Sequence, residues 1–288
     1  GIVGLPNAGK SSLLAALTRA KPKVAAYPFT TLEPNLGVLP LDEGPVVLAD
    51  IPGLIEGASE GAGLGHRFLA HIERTAVVVY VLDGGVGPDA WPVALRTVRA
   101  ELGAFRAELL ERPSLVVVNK ADLLDAAALA EATAFLDTLE WTADGIVTSA
   151  EDGSGLDDLA GRLGALVSEA RTADFAARIA DLGIRWWGEA RIDTLMGYEE
   201  RTWKLMRTSG LNMVFLGAES GSDETLQRMN KGGKAAAGAT LEIARKMAHY
   251  GIVPEMSFML GNPPDPESDA HETFAFIRKL KRANPATE

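Results

Sequence analysis

The sequence predicts an α/β protein in two parts: a three-layer domain with a mainly parallel sheet over residues 1–171, and a partial (β/α) barrel fragment over residues 172–288. In the first part, short apolar runs end in glycine-rich or acidic motifs and alternate with helical segments, as parallel strands joined by helices do. In the second part, about three strand-then-helix units follow one another, with polar residues where the strands end.

Composition favours a globular chain over a disordered or membrane-spanning one. The 288 residues are 47% hydrophobic and 23% charged, which is typical of folded proteins. No apolar run approaches the ~18–20 residues that span a membrane, and no signal peptide is visible, so we expect a cytoplasmic protein with no membrane partner. The sequence has no cysteine, so this chain cannot hold a cysteine-ligated iron–sulfur cluster.

Acidic residues concentrate in the first part of the chain. Residues 1–171 carry 13 Lys and Arg against 23 Asp and Glu, whereas residues 172–288 carry 15 against 16. This surplus argues against a broad nucleic-acid-binding face, and no direct nucleic-acid patch is evident. The sequence starts at Gly1, inside an apolar run, and we expect that its natural N-terminus lies further upstream.

A glycine-rich loop separates the first apolar run from the first helical segment. Residues 4–11 read G-L-P-N-A-G-K-S, the pattern of a phosphate-binding loop. Lys10 would reach the β- and γ-phosphates, the Ser11 hydroxyl would ligate Mg²⁺, and the helix start would favour negative charge. The alternative is an ordinary glycine-containing turn. The candidate nucleotide-binding residues here are Gly4, Asn7, Ala8, Gly9, Lys10, Ser11 and Ser12.

Asp50 ends the next apolar run and begins the motif D-I-P-G. A strand-end aspartate in this position is typical of the Walker B residue that holds magnesium, directly or through water. Gly53 would supply an N–H that follows the γ-phosphate. The alternative is an aspartate that only forms a turn, which is common at strand ends.

The proline-rich loop over residues 21–34 contains Phe29, Thr30 and Thr31, which we include among the nucleotide-binding candidates. Behind a phosphate-binding loop, a threonine in this place can supply the second magnesium ligand of a switch segment. Such segments become ordered when the γ-phosphate is bound. Taken alone, the two threonines would be unremarkable.

Residues 119–122 read N-K-A-D at the end of an apolar strand. The Asp122 carboxylate would accept hydrogen bonds from N1–H and N2–H₂ of guanine, a donor pair that adenine lacks, so the motif selects GTP over ATP. Asn119 and Lys120 belong to the same site. A further strand ends at Ser149 and Ala150, where a backbone N–H would meet guanine O6.

These motifs resemble the guanine-nucleotide domain of the Obg family of bacterial GTPases over about the first 170 residues. The resemblance is carried by G-L-P-N-A-G-K-S-S-L-L, Y-P-F-T-T-L-E-P-N-L-G-V, A-D-I-P-G-L-I-E-G-A and N-K-A-D-L. It implies a P-loop GTPase fold that binds GTP and GDP and hydrolyses GTP slowly, with Lys10, Thr31 and Gly53 as catalytic candidates. Ser11, Thr31 and Asp50 would hold Mg²⁺. The large ribosomal subunit would be a partner, in ribosome assembly or a stress response.

Two features of the resemblance concern catalysis. Residue 54 is Leu, as is normal for the family, whereas Ras-like GTPases place there a glutamine that orients the attacking water. That task would fall elsewhere or to a partner. Asn7 is similar to the potassium-binding asparagine of cation-activated GTPases, so K⁺ at this position is a hypothesis. The glycine-rich N-terminal domain of the family would lie upstream of Gly1, and we expect it to be absent here.

The second part, from Ile184 to Glu288, resembles the later part of a radical S-adenosylmethionine barrel of the cobalamin-associated type. The resemblance is carried by W-W-G-E-A-R-I-D, V-F-L-G-A-E-S-G-S-D-E-T-L-Q-R-M-N-K-G and P-E-M-S-F-M-L-G-N-P-P. It implies that Glu219 and Ser220 approach the methionine or ribose of the cofactor and that Arg191 lines the same mouth. The alternative is that these strand-end residues only cap helices and fix loops.

Three functional hypotheses follow for the whole chain. The first is a GTP-hydrolysing switch domain that carries a catalytically silent C-terminal fragment. The second is a radical enzyme with an accessory GTPase, against which the absence of the family's C-x-x-x-C-x-x-C loop counts heavily. The third is a GTP-binding module that does not hydrolyse. The change of sequence texture near residues 171–174 indicates a chimeric chain in which two gene pieces are joined.

Overall fold

The computed structural model describes residues 1–18, 23–24, 35–41, 44–51, 75–139, 141–142, 144–229 and 236–288. The chain divides into two compact units, Gly1–Ala170 (unit 1) and Arg171–Glu288 (unit 2). Each unit has its own clusters of buried apolar side chains. Across these described ranges, none of the helices is long and apolar enough to cross a membrane.

The described strands of unit 1 form one seven-stranded sheet in the order β2-β3-β4-β1-β5-β6-β7. They are β1 (Ile2–Val3), β2 (Lys23–Val24), β3 (Asn35–Leu39), β4 (Val46–Asp50), β5 (Val78–Asp83), β6 (Ser114–Asn119) and β7 (Asp144–Val147). The β2–β3 and β3–β4 pairs are antiparallel, and the other neighbouring pairs are parallel. The predicted mainly parallel sheet is therefore confirmed.

Helices cover both faces of this sheet. They are α1 (Lys10–Thr18), α2 (Ala90–Phe105), α3 (Ala126–Asp137) and α4 (Leu156–Ile179). Val79 and Val81 of β5 pack with side chains of α1 and α4, whereas Tyr80 and Leu82 pack with those of α2 and α3. Alternate residues of one strand thus enter two different apolar clusters, which makes unit 1 a three-layer domain.

Two helices of this unit differ from the sequence prediction. The sequence of residues 90–110 predicts one helix, but α2 ends at Phe105, where Arg106 is extended, and a 3₁₀ turn follows at Ala107–Glu111. Helix α4 runs without a break through the predicted junction at residues 171–174. Its last two turns contain Ala and Arg and no Gly or Pro, so local propensity continues the helix although the sequence texture changes.

Unit 2 contains a three-stranded parallel sheet in the order β10-β9-β8. Its strands are β8 (Trp186–Ala190), β9 (Leu211–Glu219) and β10 (Val253–Phe258). Its helices are α5 (Ile192–Met196), α6 (Glu200–Thr208), α7 (Asp223–Met229), α8 (Ala237–Tyr250) and α9 (Pro266–Ala283). Val214, Leu216 and Ala218, which alternate along β9, are buried with apolar helix residues.

The order of elements in unit 2 is strand then helix, three times. The sequence predicts a helix over residues 198–209, but the helix found there, α6, begins at Glu200, and the short helix α5 precedes it. On the outer side of β10, the backbone of Glu288 exchanges hydrogen bonds with Pro254 and Met256.

Strands β8 and β9 are parallel neighbours, so the polar residues at their C-terminal ends lie at the same edge of the sheet.

Candidate functional site

The candidate phosphate-binding loop connects β1 to the first residue of α1, Lys10. Asn7 and Gly9 have left-handed backbone angles, with φ of 65° and 89°. A Cβ atom at Gly9 would lie 2.3 Å from Nδ2 of Asn119, so only glycine fits between this loop and the end of β6. Gly4 follows β1, Ala8 is buried, and Ser11 and Ser12 are in the first turn of α1.

The Lys10 ammonium is folded onto the loop itself. Its Nζ donates hydrogen bonds to the carbonyl oxygens of Gly4 (2.9 Å) and Leu5 (3.0 Å). Burial lowers the pKa of Lys10 below its ordinary value, and the charge of Asp50 opposes part of that shift. A phosphate group beside Lys10 would favour its charged form, because an opposite charge at close range raises the pKa of an ammonium.

Asp50 and Ser11 meet at the start of α1. The Ser11 hydroxyl donates to Asp50 Oδ2 at 2.5 Å, and Asp50 is only 2% exposed. The other carboxylate oxygen, Oδ1, is buried and has no hydrogen-bond partner within the described residues. Leaving a buried carboxylate oxygen unsatisfied is costly, and a cation would satisfy it.

The donor set of this pair fits Mg²⁺. A carboxylate and a hydroxyl are hard oxygen ligands, and magnesium is commonly held by one or two such groups together with waters and substrate phosphates. The part of the chain that the structure describes contains no group of three or more His, Cys, Asp or Glu side chains that could hold a metal ion. Thr31, the other predicted ligand, lies outside the described residues.

Asn119 joins three loops at the end of β6, where it is 1% exposed. Its Nδ2 donates to the carbonyl of Ala8 in the phosphate-binding loop at 3.2 Å. Its Oδ1 accepts from the Ala150 N–H at 3.2 Å and from the Thr148 hydroxyl at 3.4 Å. This amide therefore ties the predicted phosphate and base regions into one site.

Asp122 lies on the exposed side of the same site, after the left-handed residue Lys120. One of its carboxylate oxygens accepts from the Ser149 hydroxyl at 2.6 Å. The Ser149 backbone N–H donates to the Ser154 carbonyl at 2.9 Å, and that of Ala150 donates to Asn119. The Ser149 hydroxyl thus orients Asp122, and the backbone contact of residues 149–150 with guanine O6 stays a prediction.

The structure brings together most of the predicted nucleotide-site residues. Around one edge of the sheet it gathers the phosphate-binding loop, Asp50, the 119–122 segment and the 148–150 turn. Phe29, Thr30, Thr31, Gly53 and Leu54 lie outside the described residues. One contact of this region has no motif in the sequence: the ion pair between Lys120 Nζ and Asp83 Oδ2, at 2.6 Å.

Unit 2 has a cavity of about 260 Å³ at the ends of β8 and β9, which Arg191, Asp193 and Glu219 help to line. Arg191 donates to both carboxylate oxygens of Asp193, at 3.0 and 2.8 Å. The hydrogen bonds from Arg191 hold the pKa of Asp193 below its ordinary value, against an opposing effect of burial. Glu219 has a left-handed backbone, with φ of 64°.

Ser220 does not line this cavity, which differs from the expectation that it would face the same ligand as Glu219. It is fully buried, and its hydroxyl bonds to Asp269 Oδ1 at 3.3 Å and lies 3.4 Å from the Thr273 hydroxyl. The left-handed backbone of Glu219 explains why Ser220 does not face the cavity, because β9 ends there and the chain turns before Ser220.

Comparison with known proteins finds similarity mainly to the first part of the chain. Residues 1–120 match the protein family described as 50S ribosome-binding GTPase. The chain is 57% identical to the GTPase Obg of Herpetosiphon aurantiacus over 133 residues, which are 46% of this chain and 30% of that protein. It is 48% identical to the GTPase Obg of Synechocystis sp. over 181 residues, or 62% and 48% of the two chains. The chain therefore spans less than half the length of these curated relatives.

Solved structures of GTP-binding proteins are similar at lower identity. Era from Aquifex aeolicus bound to GDP·AlF₄⁻ is 26% identical with a TM-score of 0.44, over 56% of this chain and 54% of that one. A complex of SsGBP and GDP is 21% identical with a TM-score of 0.49, over 59% and 49% of the two chains.

Proposed function

We propose that unit 1 is an Obg-type GTPase domain, which binds GTP and GDP with Mg²⁺ and hydrolyses GTP slowly to GDP and phosphate. The similarity of the first part of the chain to GTPase Obg proteins supports this proposal. The observation that carries this proposal is the buried Asp50 carboxylate, with one oxygen on Ser11 and the other without a partner among the described residues. It lies beside Lys10, whose ammonium donates to the loop carbonyls of Gly4 and Leu5. A cation and a phosphate chain would satisfy both groups.

In this proposal the phosphates draw Lys10 away from the Gly4 and Leu5 carbonyls and onto the β- and γ-phosphates. The N–H groups of the loop and of the first turn of α1 donate to phosphate oxygens. Bound Mg²⁺ would neutralise the charge that develops on the β–γ bridge. Thr31 as second magnesium ligand, Gly53 on the γ-phosphate, and the segment of Phe29 and Thr30 complete the proposed site.

Hydrolysis is expected to be slow because residue 54 is Leu, which cannot orient a water. Asn7 would hold K⁺, which would supply the charge that an arginine finger otherwise provides. Equal turnover in sodium and potassium buffers would refute that role.

In this proposal the guanine base is held by Asn119, Lys120 and Asp122, and Ser149 orients the aspartate. The backbone N–H of Ala150 donates to Asn119, and in this proposal it also donates to guanine O6.

The partner and the setting are proposals as well. We place the large ribosomal subunit as partner, in ribosome assembly or a stress response, because the matched family is described as 50S ribosome-binding. Large-subunit binding of this kind takes place in the cytoplasm. For unit 2 we propose a partial radical S-adenosylmethionine barrel, supported by its parallel strand–helix units and by the cavity at Arg191 and Glu219. With no cluster cysteines in the sequence, it is proposed to be catalytically silent.

The hydrolytic proposal is tested with Asp50→Ala. Removing the buried carboxylate should lower magnesium-dependent phosphate release from GTP by at least about 100-fold, the effect typical of losing one transition-state stabilising group. Phosphate release is measured at saturating GTP with and without magnesium. The matched control is Asp137→Ala, an exposed aspartate at the end of α3. If the unaltered chain binds GTP and releases no phosphate, the non-hydrolysing module is correct instead.

A further inference from the structure

We propose that Asp83 is a positioning residue of the guanine site and that it acts through Lys120. The inference rests on the proposed guanine-nucleotide function and adds a residue outside its sequence motifs. Asp83 is the last residue of β5 and stands opposite Asn119, the last residue of β6, in their parallel register. This register brings the end of β5 directly beside the N-K-A-D segment.

Both the side chain and the backbone of Asp83 are held in place by groups other than Lys120. Its Oδ1 accepts from the Gly85 N–H at 2.9 Å, and its backbone carbonyl accepts from Nε1 of the fully buried Trp91 at 2.9 Å. The remaining oxygen, Oδ2, lies 2.6 Å from Lys120 Nζ. The acceptor for the lysine is thus fixed by the protein framework.

The backbone after β5 packs directly against the N-K-A-D segment. A Cβ atom at Gly84 would lie 2.6 Å from the Asn119 carbonyl oxygen and 3.2 Å from that of Lys120. Backbone atoms cannot withdraw as a flexible side chain can, so only glycine permits this approach. Asp83 and its turn therefore act as a support for the segment that would carry the base.

Lys120 occupies a conformation that needs such support. Its backbone is left-handed, with φ of 68° and ψ of 43°, a conformation that is unfavourable for a residue with a side chain. Its Cε would lie 3.8 Å from a Cβ built at Gly9, so the lysine stem passes beside the phosphate-binding loop. The stem is therefore held between that loop and the Asp83 carboxylate, next to the proposed base site.

The ion pair contributes to binding more than to folding. The side chains of Lys120 and Asp83 are 30% and 18% exposed, and partly exposed ion pairs contribute little to the stability of a fold. A free lysine side chain has rotamer entropy that a ligand must otherwise remove on binding. Asp83 would assist GDP and GTP equally, because both carry guanine, and it would not affect the chemical step.

The test is Asp83→Asn, which keeps the acceptor for Gly85 and removes the charge that holds Lys120. We expect the Kd of both GDP and GTP to rise by about 5–20-fold, mainly through faster dissociation, with kcat at saturating GTP within about 2-fold of the unaltered chain. Inorganic triphosphate, which has no base, should compete equally well with both proteins. The control is Asp89→Asn, an exposed aspartate whose side chain makes no capping hydrogen bond on α2.

A double-mutant cycle separates positioning from a structural role. Lys120→Met removes the ion pair from the other side and should weaken GDP binding at least as much. In that background Asp83→Asn should have no further effect. A loss that persists in the Lys120→Met background, or an unchanged Kd in Asp83→Asn alone, would overturn the inference. If the unaltered chain itself does not bind GDP, the proposed function fails rather than this inference.

Discussion

At the scale of single residues, Asp122 is the residue that we propose selects the base. Its carboxylate accepts the Ser149 hydroxyl at 2.6 Å, and Asp122 lies on the exposed side of the site, where a base can approach. Ser149 in turn accepts the N–H groups of Glu151 and Asp152. The carboxylate is therefore oriented by a chain of hydrogen bonds, and in the proposed role it would accept from guanine with both of its oxygens.

Asp122→Asn should reverse that selection. The amide presents a donor to the guanine N2–H₂ group, so two charge-assisted hydrogen bonds are lost and GTP should bind about 100- to 1,000-fold more weakly. Xanthine has an oxygen at position 2, which the new amide can serve, so xanthosine triphosphate should bind better than GTP. Competition against a fluorescent nucleotide measures both affinities. If guanine preference survives the substitution, the base assignment is wrong.

The residues that could be predicted from the sequence are those in motifs of fixed spacing. Lys10 and Ser11 are neighbours in one loop, and Asn119 to Asp122 are one segment, so local order places them. Asp83 could not be found in this way, because its partner Lys120 is 37 residues away and only the β5–β6 register joins them. Likewise, the orienting role of the Ser149 hydroxyl depends on how the turn after β7 meets residue 122.

At the scale of elements, a buried polar network joins the C-terminal end of unit 2's sheet to two helices. Asp269 of α9 accepts from the Asn262 backbone and side chain, both at 3.0 Å, from Thr225 of α7 at 2.8 Å and from Ser220 at 3.3 Å. Burial raises the pKa of Asp269, but these hydrogen bonds outweigh it and hold the pKa below the ordinary value of 3.8. The network therefore needs the ionised carboxylate.

Asp269→Asn should destabilise unit 2 by about 2–3 kcal/mol near pH 7, because the amide places donors against donors in a buried site. The pKa of Asp269 is lower when folded, so its stabilising effect is complete above the unfolded value and is lost as pH falls through the folded pKa. The variant should therefore lose less stability than the unaltered chain on acidification below about pH 4. Urea unfolding, followed by fluorescence and dichroism, measures this.

The control for that measurement is Asp181→Asn, an exposed aspartate after α4. An equal loss in both variants, or an acid profile that Asp269→Asn leaves unchanged, would contradict the role of the network.

Strand and helix order in unit 2 could be predicted from apolar periodicity. The position of Ser220 inside the network could not, because its partner Asp269 lies 49 residues further along the chain.

At the scale of the whole molecule, the place where the two sequence textures meet is not a break in structure. The helical ladder of α4 continues from Leu156 to Ile179, and Arg178 pairs with Asp174 across one turn at 3.6 Å. The composition changes at residues 171–174, so the sequence could predict a junction between two sequence types there. Every residue of that segment is compatible with a helix, so the sequence does not predict a linker at the junction. The exposed connection instead lies at residues 180–185, between α4 and β8.

Trypsin can test whether the exposed connection lies after α4 rather than inside it, because there is an arginine in each of these two places. Arg171 is in the middle of α4, where cleavage requires several helical hydrogen bonds to open, whereas Arg185 ends the exposed connection before Trp186. Limited trypsin digestion, with fragments identified by mass spectrometry, should therefore give cleavage after Arg185 well before cleavage after Arg171. Digestion in urea should cut both at similar rates, which controls for local sequence. Early cleavage after Arg171 in the folded protein would mean that α4 is not continuous and that the chain divides at the change of sequence texture.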